Sequence, residues 1–161
     1  APFSFFNVAS IDPPILAFSP LLDGSAQPKD TLRNLDDLEE CVVHVGTEGL
    51  IEALNTTSAS LPREEDEFTL AGLEKATMQG IRVPRIAAAP VAFGCKLVDV
   101  IRFGERPVAG SLVLVQIVAI YIDDELWDGR HVNMEALQPI GRLAGSDYVR
   151  ITDRFAIERP A

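Results

Sequence analysis

Residues 91–122 read VAFGCKLVDVIRFGERPVAGSLVLVQIVAIYI, and this stretch decides the fold class. Two long apolar runs, Val91 to Phe103 and Ser111 to Ile122, flank a turn through Gly104-Glu105-Arg106-Pro107. Their length and apolarity place them at the centre of a sheet or barrel. Toward the N-terminus, Phe3 to Ala9 is aromatic and β-branched with no helical period, which predicts a strand. Pro13-Pro14 breaks it, and a second strand runs from Ile15 to Ser19, ending in Ser19-Pro20. Leu22 to Pro28 (LDGSAQP) is a loop.

Lys29-Asp30-Thr31 opens a helix in which Leu32, Leu35 and Leu38 recur at three-residue spacing. Asp30 or Thr31 can cap its first turn. Cys41 to Val45 predicts a short buried strand, and Thr47 begins a second helix that ends near Asn55. Residues 56–90 are expected to be mostly irregular, with Glu64 to Glu67 a solvated acidic loop and Pro84 and Pro90 as punctuation. Beyond the long pair lie a polar loop at Asp128-Gly129-Arg130, a short helix near Asn133 to Leu137, and the segment Pro139 to Arg150. No repeat or linker divides the chain. The expectation is one domain over residues 1–161, mainly β, a barrel with added helices.

The chain has 161 residues, 47% of them hydrophobic, and a formal net charge of −10. That length suffices for a real core. No apolar run reaches the roughly 18 residues of a membrane span. The acidic balance argues against a general nucleic-acid binder. An anionic ligand would need a local exception to the global field. Cys41 and Cys95 make neither a disulfide framework nor a zinc site, and both sit in apolar runs as small hydrophobes. Nothing resembles a signal peptide, and the expected location is cytoplasmic.

The usual catalytic constellations are absent: the chain has no GxSxG, GxGxxG or GxxxxGK[ST] motif. His44 and His131 lack metal-ligand spacing, so no metal is expected. His44 reads as a satisfied or surface histidine, whereas His131 lies in a polar loop, where function concentrates. Three segments carry chemistry. The helix start at Lys29-Asp30-Thr31 offers free N–H groups, a positive dipole end and a lysine, which suit a phosphate. Distant carboxylates are screened beyond about 8–10 Å. Asn7 and Ser10 interrupt an apolar strand end, where backbone amides can meet the edge of a planar heterocycle. Gly141, Arg142, Gly145 and Tyr148 mark a loop that passes close to something.

In this order, APFSFFNVASIDPPILAFSP (1–20), KDTLRNLDDLEECVVHVGTEGLIEALNTTSASLP (29–62), DEFTLAGLEKA (66–76) and PIGRLAGSDYVR (139–150) resemble the flavin reductase-like family, the FMN-binding split barrels. The resemblance implies a homodimer of split β-barrels holding FMN near the dimer interface. It implies that Asn7, Val8, Ala9 and Ser10 contact the isoalloxazine and its side chain. Ser19, Lys29, Asp30 and Thr31 would surround the ribityl phosphate. Asn55, Thr57 and Ser58 would lie beside the flavin, Arg142 and Tyr148 would approach it, and His131 falls where some relatives present a histidine to the nicotinamide. The implied reaction is hydride transfer from NADH or NADPH to FMN, with the reduced flavin passed to a monooxygenase component. An FMN-containing electron-transfer protein with little NAD(P)H activity is the alternative. Relatives carry a further hairpin before the PFSFFN segment, so the chain is expected to be short of the first barrel strands.

Overall fold

The computed structural model describes residues 1–160. In chain order its elements are β1 (Phe6–Ser10), β2 (Ile15–Phe18), α1 (Asp30–Leu38), β3 (Glu40–His44), α2 (Ile51–Thr56) and α3 (Glu67–Leu70). There follow β4 (Lys75–Met78), β5 (Ile81–Ile86), β6 (Val91–Arg102), β7 (Ser111–Ile122), α4 (Met134–Leu137), β8 (Ile140–Arg142) and β9 (Tyr148–Arg150). One sheet runs β1-β2-β7-β6-β3, and β4-β5 and β8-β9 are separate hairpins.

The two long apolar runs form the middle of the sheet. β6 and β7 pair antiparallel from Val91↔Ile122 to Arg102↔Ser111, with register shifts at Gly94/Cys95 and Leu97/Asp99. Such bulges bend a strand and increase its twist. One core cluster lies on the face covered by α1, where Leu16, Phe18, Cys95, Val113 and Val115 meet Leu32 and Leu35. Leu38 departs from the sequence expectation, being 39% exposed. Residues three apart step back about 60° around a helix of 3.6 residues per turn, so a third member of the stripe rotates off the sheet. Glu39 then ends α1 in the left-handed region, with its N–H on the Leu35 carbonyl.

The first strand starts at Phe6 rather than Phe3. Phe3 instead turns its ring onto Phe18, with centroids 5.1 Å apart, and packs on the core. Residues 56–90 hold more order than expected. Asp66 caps α3 by accepting the Phe68 N–H. The β4-β5 hairpin turns at Gly80, whose φ of +72° suits glycine. This hairpin packs over β6 at Gly94, where a Cβ would come within 2.8 Å of Ile81 and 3.1 Å of Met78. Only hydrogen fits there.

The five-stranded sheet is open among the described residues, with β1 and β3 at its edges. The β3 edge is closed by side chains. Glu40 accepts the Arg82 N–H at 2.9 Å, and four residues on, His44 Nε2 accepts the Ile86 N–H at 3.0 Å. Thus β5 lies alongside β3 without a backbone ladder. Among the described residues no helix is long and apolar enough to cross a membrane.

Candidate functional site

Asn7, Val8 and Ala9 are exposed on the edge strand β1, with Ser10 half-buried. Asn7 Oδ1 accepts the Val8 N–H at 2.9 Å, and the pairing with β2 shifts register between Val8 and Ser10. An edge strand keeps unpaired N–H and C=O groups along its outer side. This strand therefore offers polar backbone and a short amide side chain beside apolar surface, since Phe6 and Val8 are also exposed.

Ser19 follows β2. Its N–H donates to the Phe5 carbonyl at 3.0 Å and its hydroxyl to the Ser111 carbonyl at 2.6 Å. From there the chain makes a closed loop. Leu21 bridges Gly110, Leu22 bridges Pro28, and the Asp23 carboxylate accepts the Ser25 and Gln27 N–H groups, each at 2.8 Å. Those backbone donors hold the Asp23 carboxyl below the usual carboxylate range. The loop delivers Lys29 to the start of α1 in a fixed position.

The helix start corrects the sequence expectation. The capping position is Lys29, extended at φ −68° and ψ 160°, and no side chain caps the helix. Asp30 is instead the first helical residue. Its carboxylate lies 3.1 Å from Arg63 and 3.7 Å from Arg33, so it is turned to cations rather than to backbone N–H groups. Arg63 also reaches Asp37 at 3.0 Å, bracing both ends of α1. Sequence reasoning missed Arg63, which sits in a polar segment with no pattern. The outcome is a helix N-terminus without a side-chain cap, beside an exposed lysine, with the one nearby acid in its first turn neutralised. Such an end binds anions.

Arg142 and Tyr148 pair across the β8-β9 hairpin. Arg142 Nη1 donates to Ser4 Oγ at 3.0 Å, and that hydroxyl donates to the Leu143 carbonyl at 2.8 Å. The hairpin is thereby brought to the segment that leads into β1. Ser19, through Phe5, touches the same segment. Asn55, Ser58 and His131 instead make local contacts. The Asn55 carbonyl accepts from both the N–H and the hydroxyl of Ser58, at 3.0 and 2.6 Å. Thr57 is buried, with its hydroxyl on the Leu54 carbonyl at 2.8 Å. The exposed His131 donates its N–H to Asp128 at 2.6 Å.

A second cluster lies behind the sheet edge. The Arg85 guanidinium sits 3.6 Å over the Tyr121 ring and donates to the Ile86 and Ala87 carbonyls at 3.2 and 3.1 Å. His44, close by, has its pKa pushed down to about 4, chiefly by burial, with positive charge from the amino terminus and Arg85 adding to it. It is a neutral acceptor, in keeping with a satisfied histidine.

A family model described as a flavin reductase like domain matches residues 1–134. Among solved structures, the chain is similar to nitrilotriacetate monooxygenase component B from Bacillus cereus, at 33% identity and a TM-score of 0.91, covering 98% of this chain and 78% of that one. It is also similar to the 2-nitrobenzoate 2-nitroreductase NbaA of Pseudomonas fluorescens, at 34% identity and a TM-score of 0.86, covering 99% and 76%. A split barrel domain protein from Shewanella frigidimarina shares the fold, with a TM-score of 0.83 at 19% identity over 99% of this chain and 77% of that one.

Proposed function

This chain belongs to the flavin reductase-like domain family, and from that premise we propose that it binds FMN between β1 and the start of α1 and passes hydride to it from NADH or NADPH. The observation that carries the proposal is the start of α1, which has no side-chain cap and has Lys29 at the capping position. The residues present fit the group. A phosphate meets free N–H groups and one lysine, and a planar ring meets the exposed edge of β1. When bound, the flavin supplies the redox chemistry, accepting hydride from the nicotinamide.

The protein's own residues bind and orient. Lys29 and the N–H groups of Asp30 and Thr31 hold the phosphate, with Ser19 fixing the loop that presents them. Asn7 and the backbone of Val8, Ala9 and Ser10 would hold the ring edge, where N–H donors favour added negative charge. Arg142, Tyr148, Asn55 and Ser58 border the substrate side, and His131 meets the nicotinamide. This role needs no general base. The protein's part in catalysis would be alignment, with these residues holding the flavin and the hydride donor against each other. The reading extends to a cytoplasmic homodimer that supplies reduced flavin to a monooxygenase component. The likeness to a monooxygenase component B supports that partner class.

Steady-state oxidation of NADH and NADPH with added FMN tests the activity. Turnover that depends on FMN supports hydride transfer. Tight FMN binding with negligible nicotinamide oxidation favours an electron-transfer flavoprotein instead. Lys29→Ala is expected to weaken FMN binding by about 1–3 kcal/mol, the contribution of a charge-assisted contact. Unchanged affinity in a fluorescence titration rejects the phosphate assignment.

A further inference from the structure

The chain has two cysteines, and the fold places them opposite each other. Cys41 on β3 is the register partner of Cys95 on β6. Hydrogen bonds on either side, Leu97 N–H to the Glu39 carbonyl at 2.8 Å and Val45 N–H to the Val91 carbonyl at 3.1 Å, define the alternation of the ladder. By that alternation Cys41 and Cys95 form a hydrogen-bonded pair, whose Cα atoms lie about 5.5 Å apart. Disulfides span Cα separations of about 4.4–6.8 Å. Both side chains point to the face covered by α1. Cys95 is fully buried in the cluster of Leu32 and Leu35, and the half-buried Cys41 packs against the same cluster.

The two thiols differ in character. Hydrogen bonding from the Cys95 thiol lowers the Cys41 pKa, while Cys41 and burial push that of Cys95 up. With both neutral, the Cys95 thiol lies 3.4 Å from the Phe93 carbonyl and donates to it. Cys41 is the more exposed and the more easily ionised, and Cys95 is held within reach of it. That is the division of labour of an attacking and a resolving thiol.

We propose that Cys41 and Cys95 are a redox-active dithiol, oxidised by a hydroperoxide to a cross-strand disulfide and reduced again by a small thiol. The Cys41 thiolate attacks the peroxide oxygen and the O–O bond breaks. Cys41 becomes a sulfenic acid, and the departing oxygen leaves as water or alcohol after taking a proton. The Cys95 sulfur then attacks the sulfenic sulfur as its proton passes to the sulfenic oxygen; the S–S bond forms, the S–O bond breaks, and water leaves. Two thiols lose two electrons and two protons, and the peroxide is reduced by the same two electrons. The Cβ atoms of strand partners lie about 4.5–5.5 Å apart and those of a disulfide about 3.5–4.5 Å, so closure draws β3 toward β6. That strain keeps the bond labile and the step reversible. The device is independent of flavin binding. It would lock the sheet edge that carries Glu40 and His44 to β5.

The test is peptide mapping by mass spectrometry, without reduction, after treating the protein with stoichiometric hydrogen peroxide. The expected product is a single chain lighter by two hydrogens, with the Cys41 and Cys95 peptides joined, and dithiothreitol restores both thiols. Cys41 oxidised to sulfinic or sulfonic acid with Cys95 untouched, a bridge between two chains, or two intact thiols each overturns the proposal. Cys95→Ala is expected to trap Cys41 as a sulfenic acid that dimedone labels, and absence of label overturns the order of attack. Mapping of the unmutated chain decides the matter if that variant fails to fold.

Discussion

Leu35→Ala is expected to destabilise the protein by about 3–5 kcal/mol, the upper part of the range for a leucine deleted from a core. Leu35 is 1% exposed, and it sits with Leu32 among Leu16, Phe18, Cys95, Val113 and Val115. These two leucines are the buried residues of α1. The surroundings cannot close on the cavity easily, because the opposing wall is the paired centre of the sheet. The cost therefore includes lost transfer energy and an unfilled volume. Urea denaturation followed by circular dichroism checks it. A loss below about 1 kcal/mol would mean that α1 does not rest on the sheet as described. Because α1 also presents Lys29, the same variant should bind FMN more weakly.

Lowering the pH from 6.5 toward 4 is expected to remove up to about 3 kcal/mol of stability through His44 alone. The sign follows from the direction of the shift. The unfolded histidine titrates near 6.5 and the folded one near 4, so between these values the unfolded chain binds more protons. Stability is complete above pH 6.5 and falls with pH until both forms are protonated, below about 4. The structural cause is the Ile86 N–H, which needs the unprotonated Nε2 as its acceptor. Protonation turns that acceptor into a donor facing a donor, and β5 loses one of its two side-chain ties to β3. Glu40, the other tie, has its carboxyl pulled down first by the Arg82 N–H, so its share is present above the unfolded value of 4.5 and is lost as pH falls below it. His44→Gln keeps an acceptor that does not titrate. Its denaturation midpoint should vary less between pH 7 and 4.5 than that of the parent. Parallel pH profiles for the two proteins would remove His44 from this role.

These two positions mark where the sequence was legible and where it was not. β6 and β7 were readable because each is long, apolar and bounded by a turn, and α1 because its first two leucines share a face. The β4-β5 hairpin was not. Its residues, Lys75 to Ile86, mix charge, glycine and proline, and tertiary packing decides their conformation through contact with Gly94 and the side chains of β3. The site divides in the same way. Lys29 at a helix start could be read locally, although not that the helix would lack a side-chain cap. The link from Arg142 to Ser4 spans 138 positions, and the brace from Arg63 to Asp30 spans 33. No local pattern encodes contacts so distant. Asn55 and Ser58 came from the family resemblance, and His131 from its polar loop as well, and the contacts seen at each are local ones.

The most direct test of the flavin assignment is a titration of the protein with FMN, followed by quenching of flavin fluorescence. Saturable binding of one FMN per chain, weakened about five- to 150-fold in Lys29→Ala, is the predicted result. Absence of saturable binding, or equal affinity in the two proteins, would contradict the placement of the flavin phosphate at the start of α1.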